Sequence, residues 1–145
     1  GGSKGILGET SRDARLDSKD LILGVTIGGN YKAYPFDALA VRPVLNDIVG
    51  GVPVLVTFDP GSSTGSIFDP VVGLRTLTFV GTQGAPEALM EDIETRTVWD
   101  PASGEAVSGP LEGEVLSRLP SHYEFWYSWK DYRPGTELYV GAASE

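Results

Sequence analysis

The chain has 145 residues, of which 41% are hydrophobic and 21% charged, the size and composition of one globular domain. Twenty acidic and eleven basic residues give a formal net charge of −9, which argues against binding to nucleic acid or to an anionic membrane surface. The absence of cysteine excludes disulfides, thiolate catalysis and cysteine-ligated metal centres. No apolar run of about 18 residues predicts a membrane span.

The N-terminal segment differs in composition from the rest of the chain. Residues 1–20 are polar, rich in glycine and mixed in charge, and we interpret them as an extended arm. Residues 21–145 are then a single domain. The chain begins at Gly1 without a methionine, which indicates either a tag remnant or a removed export signal.

Short segments that alternate apolar and polar residues dominate the remaining chain and predict half-buried strands. The clearest run over residues 21–27 and 52–58, and Pro53 marks a strand start or a sheet edge. Further strands are predicted at 31–34, 67–68, 74–80, 95–99 and 137–140, a helical turn at Phe36–Val41, and short helices at 85–91 and 125–132. The expected fold is a β-rich α+β domain, a mostly antiparallel sheet or partial barrel with one or two short helices.

One segment matches the nucleophile motif of serine hydrolases. Residues 61–65 read G-x-S-x-G, with Ser63 at the centre, and the single histidine, His122, follows later in the chain. The motif requires a strand, a sharp turn and then a helix. Residues 66–70 instead predict a strand, so a polar hairpin loop is favoured and a hydrolase is the weakest alternative.

An acidic cluster at Glu91, Asp92 and Glu94 could supply paired carboxylates or calcium ligands. No calcium-binding loop of the EF-hand pattern is present, and a solvated turn is favoured. We predict no metal site, no cofactor and no catalytic residue from these patterns.

Five aromatic residues fall within eight positions near the C-terminus. Trp126 and Trp129 share one face of a predicted helix, and Tyr132 follows one turn later. Core packing is favoured for them, but stacking on a sugar or on another protein stays open. Trp126, Trp129 and Tyr132 are therefore candidate interaction residues.

A series of short motifs runs in a fixed order from Leu21 to Val140. It includes Ala33-Tyr34-Pro35, Asn46-Asp47, Gly50-Gly51-Val52-Pro53-Val54, Phe68-Asp69, Leu77-Thr78-Phe79, Asp92-Ile93-Glu94-Thr95, Trp99, Gly104-Glu105-Ala106, Gly109-Pro110-Leu111-Glu112-Gly113, Trp129 and Pro134-Gly135-Thr136. Together these motifs resemble an uncharacterised prokaryotic family, domain of unknown function 3179. Members are typically exported or lipoprotein-like, so the resemblance implies an extracytoplasmic location.

Many members of that family carry a C-x-x-C pair after a strand and a Trp-His-Glu before the Asn-Asp. Asp59 and Ser62 stand where the thiols would be, and residues 41–43 (Val-Arg-Pro) stand where Trp-His-Glu would be. Carboxylate and hydroxyl oxygens are hard donors, so soft-metal chemistry does not carry over. The chain resembles the cysteine-less branch, and because the family has no established activity, the resemblance implies a fold and a location only.

Two functions are expected from these observations. In the first, the domain is exported, non-catalytic and self-assembling, a subunit of a cell-envelope or extracellular filament to which the arm and the strand at Val52 contribute by strand addition. In the second, a small polar ligand or hard cation binds near the loop at 59–65, as in a binding module or degenerate enzyme. Its candidate pocket is formed by Asp59, Ser62, Asp92 and Trp99.

Overall fold

The computed structural model describes residues 17, 19–82 and 89–141. This part of the chain folds into fourteen strands and two helices, the β-rich fold with two short helices that the sequence predicts. The strands are β1 (Leu21–Ile27), β2 (Asn30–Pro35), β3 (Val44–Val49), β4 (Val52–Asp59), β5 (Thr64–Asp69), β6 (Val71–Val72), β7 (Arg75–Thr76), β8 (Phe79–Gly81), β9 (Met90–Asp92), β10 (Val98–Trp99), β11 (Ala106–Ser108), β12 (Ser117–Arg118), β13 (Ser121–Phe125) and β14 (Glu137–Leu138), and the helices are α1 (Phe36–Val41) and α2 (Trp126–Tyr132).

Three four-stranded sheets make up the domain. Their strand orders are β13-β1-β2-β14 in the first sheet, β12-β5-β4-β3 in the second and β11-β10-β9-β8 in the third, with β6 and β7 as a separate hairpin. Every pairing between these strands is antiparallel except that of β2 with β14, which is parallel. No sheet closes into a barrel within the described residues.

Glycine pairs make the two tightest strand connections. Gly28-Gly29 joins β1 to β2, and Gly50-Gly51 joins β3 to β4. All four glycines have a positive φ, between 54° and 82°. Two consecutive positive φ angles are what a two-residue hairpin turn requires, and glycine adopts them without a Cβ clash.

The second sheet lies in the middle of the molecule, with side chains buried on both of its faces. On β4, Val54, Val56 and Phe58 pack towards the first sheet, whereas Leu55 packs into a second core with the third sheet. This explains why residues 54–58 are buried without interruption. The first core also contains Leu23, Val25, Tyr34, Leu39, Leu45, Val49 and Ile67; the second contains Phe68, Leu77, Phe79, Met90, Trp99, Ala106 and Leu116.

Helix α2 covers the other face of the first sheet. Trp126 and Trp129 pack there against Ile22 and Ala33. Gly24 of β1 makes this approach possible, because a Cβ at that position would lie within 2.6 Å of three atoms of the Trp129 ring. The two tryptophans are therefore core residues, whereas Tyr132 at the end of the helix is 79% exposed.

Several predicted elements differ from the observed ones. Met90 and Glu91 lie in strand β9, so the helix predicted at 85–91 is wrong there; residues 83–88 lie outside the described part. The second helix begins at Trp126, one residue later than predicted. The strand predicted at 74–80 is divided between β7 and β8, and the one predicted at 95–99 begins at Val98.

Strand β4 corrects the expectation of an edge at Val52. Pro53 does stand at a strand start, but β4 pairs with β3 from Val52 to Thr57 and with β5 from Leu55 to Asp59. Most of β4 is therefore an interior strand, and it offers no continuous edge for strand addition. Strand β13, by contrast, pairs only with β1 among the described strands.

Candidate functional site

A cleft of about 550 Å³ opens between the β4–β5 turn and the β10–β11 turn. Its volume falls within the range of small-molecule sites, roughly 300–1,000 Å³. Apolar walls come from proline, phenylalanine and alanine side chains, and six side chains bring oxygen atoms. The lining consists of Pro43, Thr57, Phe58, Asp59, Pro60, Ser62, Thr64, Ser66, Asp100, Pro101 and Ala102.

Hydrogen bonds tie the β10–β11 turn to the strands of the second sheet. Thr57 Oγ1 donates to the carbonyl of Pro101 over 2.8 Å. The Arg118 guanidinium donates to Ser66 Oγ over 2.8 Å and to the carbonyl of Ala102 over 2.6 Å. These contacts join the second sheet to the turn of the third, so the cleft has a fixed shape at its base.

Asp59 organises the turn on one side of the cleft. Its Oδ1 accepts from the backbone N–H of Gly61 over 3.0 Å, and its Oδ2 accepts from Ser62 Oγ over 2.9 Å. Both Asp59 and Ser62 are exposed, so they face the cleft with their local partners already satisfied. A ligand would compete with these turn bonds or bind to the remaining lone pairs.

Asp100 holds the opposite turn in a similar way. Its Oδ1 accepts from the backbone N–H of Ala102 over 2.9 Å. Asp59 and Asp100 are the only carboxylates among the described residues that line the cleft. No three His, Cys, Asp or Glu side chains in the described part of the chain gather closely enough to hold a metal ion.

Asp92 and Trp99 lie in the core and do not line the cleft. Both are fully buried, and Trp99 Nε1 donates to Asp92 Oδ2 over 2.8 Å. Asp92 also accepts from Thr95 Oγ1 over 2.9 Å and from the Thr95 backbone N–H over 2.5 Å. The structure therefore brings Asp59 together with Ser62, and Asp92 together with Trp99, but the second pair does not line the cleft.

One of the residues compared above with the Trp-His-Glu motif lies at this cleft. Pro43 lines it together with Asp59 and Ser62, and the Phe58 backbone N–H donates to the carbonyl of Pro43 over 2.9 Å. Val41, at the end of α1, is 74% exposed. Pro43, Asp59 and Ser62 are thus neighbours in space, although Pro43 lies outside the β4–β5 segment.

The G-x-S-x-G segment has the geometry of a hairpin turn. Residues 60–63 form the connection between β4 and β5, and Ser63 has a φ of 53°. Strand β5 follows directly at Thr64, where a nucleophile motif needs a helix. His122 lies on β13 opposite Gly24 and is exposed.

One titratable group is strongly perturbed, and it belongs to the core. Burial raises the pKa of the Tyr34 hydroxyl well above its ordinary value, and the negative charge of Asp47 raises it further. Tyr34 donates to Asp47 Oδ2 over 2.7 Å, and Lys32 forms an ion pair with the same oxygen at 2.8 Å. This arrangement connects β2 to β3 and does not line the cleft.

Sequence reasoning missed four of the polar residues that shape the cleft: Thr57, Ser66, Asp100 and Arg118. The turn at Asp100-Pro101-Ala102-Ser103-Gly104 is recognisable in the sequence. Its position against the β4–β5 turn is not, because the two segments are about forty residues apart; Thr57 and Pro101, for example, are separated by 44. Only the packing of the second sheet against the third brings these two turns together.

The geometry of the described residues defines a layered β domain with a moderately sized cleft between two turns. A family model described as protein of unknown function, DUF3179, matches residues 6–143, nearly the whole chain. The chain belongs to this family. The match includes most of the N-terminal segment, so residues 6–20 are part of the family's sequence pattern.

No curated protein and no solved structure is significantly similar to the chain. In the part of the chain that the structure describes, no helix is long and apolar enough to cross a membrane.

Proposed function

We propose that this domain is exported and non-catalytic, and that it acts through its surface as a subunit of a cell-envelope or extracellular assembly, such as a filament. The observation that carries this proposal is the free edge of β13, which has two large aromatic side chains on it. Phe125 is 47% exposed, and Tyr123 is 51% exposed, although its hydroxyl binds the backbone N–H and carbonyl of Gly65 on β5 and its ring contacts Phe36. Exposed apolar edges of this kind pair readily with another chain, and proteins that stay monomeric usually protect them.

The roles of the family's motif residues support the same function. Asp92 and Trp99 bind each other in the core, Gly24 accommodates Trp129, and Asp47 binds Tyr34. These residues maintain the scaffold. Because these side chains are engaged inside the domain, a function at the surface would rest on other residues.

Assembly is tested on the purified chain by light scattering over a wide range of concentrations and by negative-stain electron microscopy of native material. We expect oligomers or filaments whose mass grows with concentration, because association obeys mass action. Cell fractionation with an antibody should find the protein outside the cytoplasm. A chain that is monomeric at every concentration, or one confined to the cytoplasm, contradicts this function.

A second candidate is a binding module, or a degenerate enzyme, that holds a small polar ligand or a hard cation in the cleft. It is favoured by the meeting of Asp59, Ser62 and Asp100 around about 550 Å³ of space. Hydroxyl and carboxylate oxygens suit a neutral polyol or a hard cation, and the proline and phenylalanine walls provide an apolar face for a sugar ring.

A thermal-shift screen with calcium, magnesium and simple sugars tests this candidate, because a ligand that binds only the folded state raises the Tm. Asp59→Asn keeps an oxygen for the Gly61 N–H but removes the charge, and we expect it to abolish a calcium-induced shift. Asp131→Asn, an exposed position on α2, is the matched control. No shift with any probe, together with unchanged behaviour of Asp59→Ala, would exclude binding at this cleft.

A further inference from the structure

The backbone of β13 offers a defined set of hydrogen-bonding groups at its free edge. The Trp126 N–H donates to the carbonyl of Asp20 over 2.9 Å, in the same register that pairs Ile22 with Glu124. Hydrogen-bonded pairs alternate along an antiparallel ladder, so Glu124 and His122 direct their backbone groups to β1. The backbone groups of the intervening residues, Ser121, Tyr123 and Phe125, therefore point away from β1.

Apolar side chains accompany this edge. The rings of Phe125 and Tyr127 are stacked, with centroids 6.1 Å apart, and both are about half exposed. Leu21, which pairs with Phe125, is 42% exposed. Neither lysine nor proline occurs in β13, and its acidic residue, Glu124, forms an ion pair with Arg133.

The chain itself contains a segment that can reach such an edge. Residues 1–16 precede the described part, and at about 3.3–3.6 Å per residue they span up to roughly 55 Å when extended. A domain of this size has a radius of gyration of roughly 14 Å. The segment is therefore long enough to leave its own domain and contact a neighbour.

The point at which this segment joins the domain favours a neighbour over its own edge. The Asp20 N–H donates to the carbonyl of Asp17 over 2.9 Å, which closes a turn just before β1. To cover its own edge the segment would have to cross the end of β13 to the far side of that strand, about two strand spacings from β1, roughly 9.6 Å, whereas the segment of a neighbour meets this edge without such a crossing. Helix α2 begins directly after Phe125 and occupies that end of β13.

The charge of residues 1–16 is also compatible with contact to a neighbouring copy. Residues 1–16 contain three basic and two acidic residues, whereas the whole chain has a net charge of −9. The segment is thus slightly positive and the remaining chain strongly negative. The segment therefore meets a neighbouring acidic domain with less like-charge repulsion than the rest of the chain does.

We infer that residues 1–16 of a second copy add as a strand to the free edge of β13 and cover Tyr123 and Phe125. This inference rests on the proposed assembly and specifies its interface. Because the contact is head-to-tail, each copy offers both a segment and an edge, and repetition builds an open chain of subunits.

The first experiment compares Phe125→Pro with Phe125→Ala in sedimentation of the full chain. Phe125 has a φ of −74°, which proline adopts without strain, and its N–H is not used by β1. Both variants lose the ring, but only the proline loses the outward N–H. We expect Phe125→Pro to associate about tenfold more weakly than Phe125→Ala, because proline lacks the outward N–H that would donate one backbone hydrogen bond and its ring fills the space of that N–H. Leu74→Ala, at a fully exposed apolar position in the β6–β7 turn, should associate like the unmodified chain.

A second experiment does not depend on how the proline variant folds. The chain has no cysteine, so Ser11→Cys and His122→Cys each introduce a single thiol. The two variants are purified separately, mixed and treated with a short bismaleimide. We expect a heterodimer whose cross-linked peptides join position 11 to position 122, and we expect an excess of synthetic peptide 1–16 to suppress it.

The outcomes separate this inference from the proposed function. A strictly monomeric chain contradicts both. An assembly that forms without the cross-link between positions 11 and 122, and that resists the peptide, contradicts the β13 interface and leaves assembly standing. A cross-link that forms only within a chain carrying both thiols, at high dilution, shows that the segment covers its own edge and overturns the inference.

Discussion

Single residues with buried polar groups hold this scaffold together. Asp92 is fully buried and accepts hydrogen bonds from an indole N–H, a hydroxyl and a backbone N–H. A carboxyl group without such partners would be costly in a core made of Phe79, Met90 and Trp99. The role of Asp92 is therefore to satisfy Trp99 and to close the turn after β9.

Replacing this carboxyl group should be severe. Asp92→Ala leaves the Trp99 Nε1 donor and the Thr95 N–H without their acceptor, and we expect the free energy of unfolding to fall by about 3–5 kcal/mol. Urea denaturation measures the change. Asp131→Ala, which removes an exposed carboxylate from α2, is the control and should change stability by less than about 0.5 kcal/mol. Equal stability of the two variants would show that Asp92 does not hold Trp99.

Tyr34 makes stability depend on pH in the alkaline range. Its folded-state pKa lies above the unfolded value because of burial and the charge of Asp47. Below about pH 10 the hydroxyl is protonated in both states, and its contribution to stability is fully present. Above about pH 10 only the unfolded chain releases the proton, so the free energy of unfolding falls by up to about 1.4 kcal/mol per pH unit. Urea denaturation at several pH values should show a shallower decline in Tyr34→Phe, whereas Tyr132→Phe should behave like the unmodified chain.

At the scale of elements, one amide joins β3 of the second sheet to β8 of the third. The Asn46 side chain on β3 accepts from the Phe79 N–H over 2.9 Å and donates to the Phe79 carbonyl over 2.8 Å. It thereby pairs with β8 much as a backbone would, and it closes the edge of β3 to other strands at this point.

Removing that amide should loosen the sheet junction. We expect Asn46→Ala to lower the free energy of unfolding by about 1–2 kcal/mol and to speed hydrogen exchange at the Phe79 amide. Asn30→Ala is a suitable comparison, because the Asn30 amide makes only local bonds of 3.4 Å. If Phe79 exchanges at the same rate in both variants, β3 and β8 are held together by other contacts.

Elements with regular alternation could be predicted, and those without it could not. Strand β1 and the central part of β4 show a clear period of two. Helix α1 and most of α2 could also be predicted from the sequence. Strands β3 and β13 were missed, because Asn46 and Asp47 interrupt the apolar pattern of the first and β13 is mostly exposed. In both strands the polar residues have partners on distant elements, which no local pattern reveals.

At the scale of the whole molecule, charge opposes the association that the edge favours. Each copy carries a formal charge of −9, so two copies repel at long range. Salt screens this repulsion, with a Debye length of about 30 Å at 0.01 M and about 8 Å at 0.15 M.

We therefore expect the association constant of the chain to rise with salt over this range, as sedimentation at several ionic strengths would show. Sodium chloride and potassium chloride should act alike, since screening depends on ionic strength and not on the ion. A decrease with salt would mean that opposite charges across the interface dominate the contact.

The sequence alone determined the β-rich class, the family, the turn at residues 61–65 and the absence of thiol chemistry, because these are properties of composition and of local pattern. Only the tertiary structure decided which residues share a site. It separated Asp92 and Trp99 from the cleft, added Asp100 and Ser66 to it, and left β13 rather than β4 with a free edge. The physical reason is that strand pairing and the meeting of turns depend on contacts between segments far apart in the chain, which alternation and spacing do not encode.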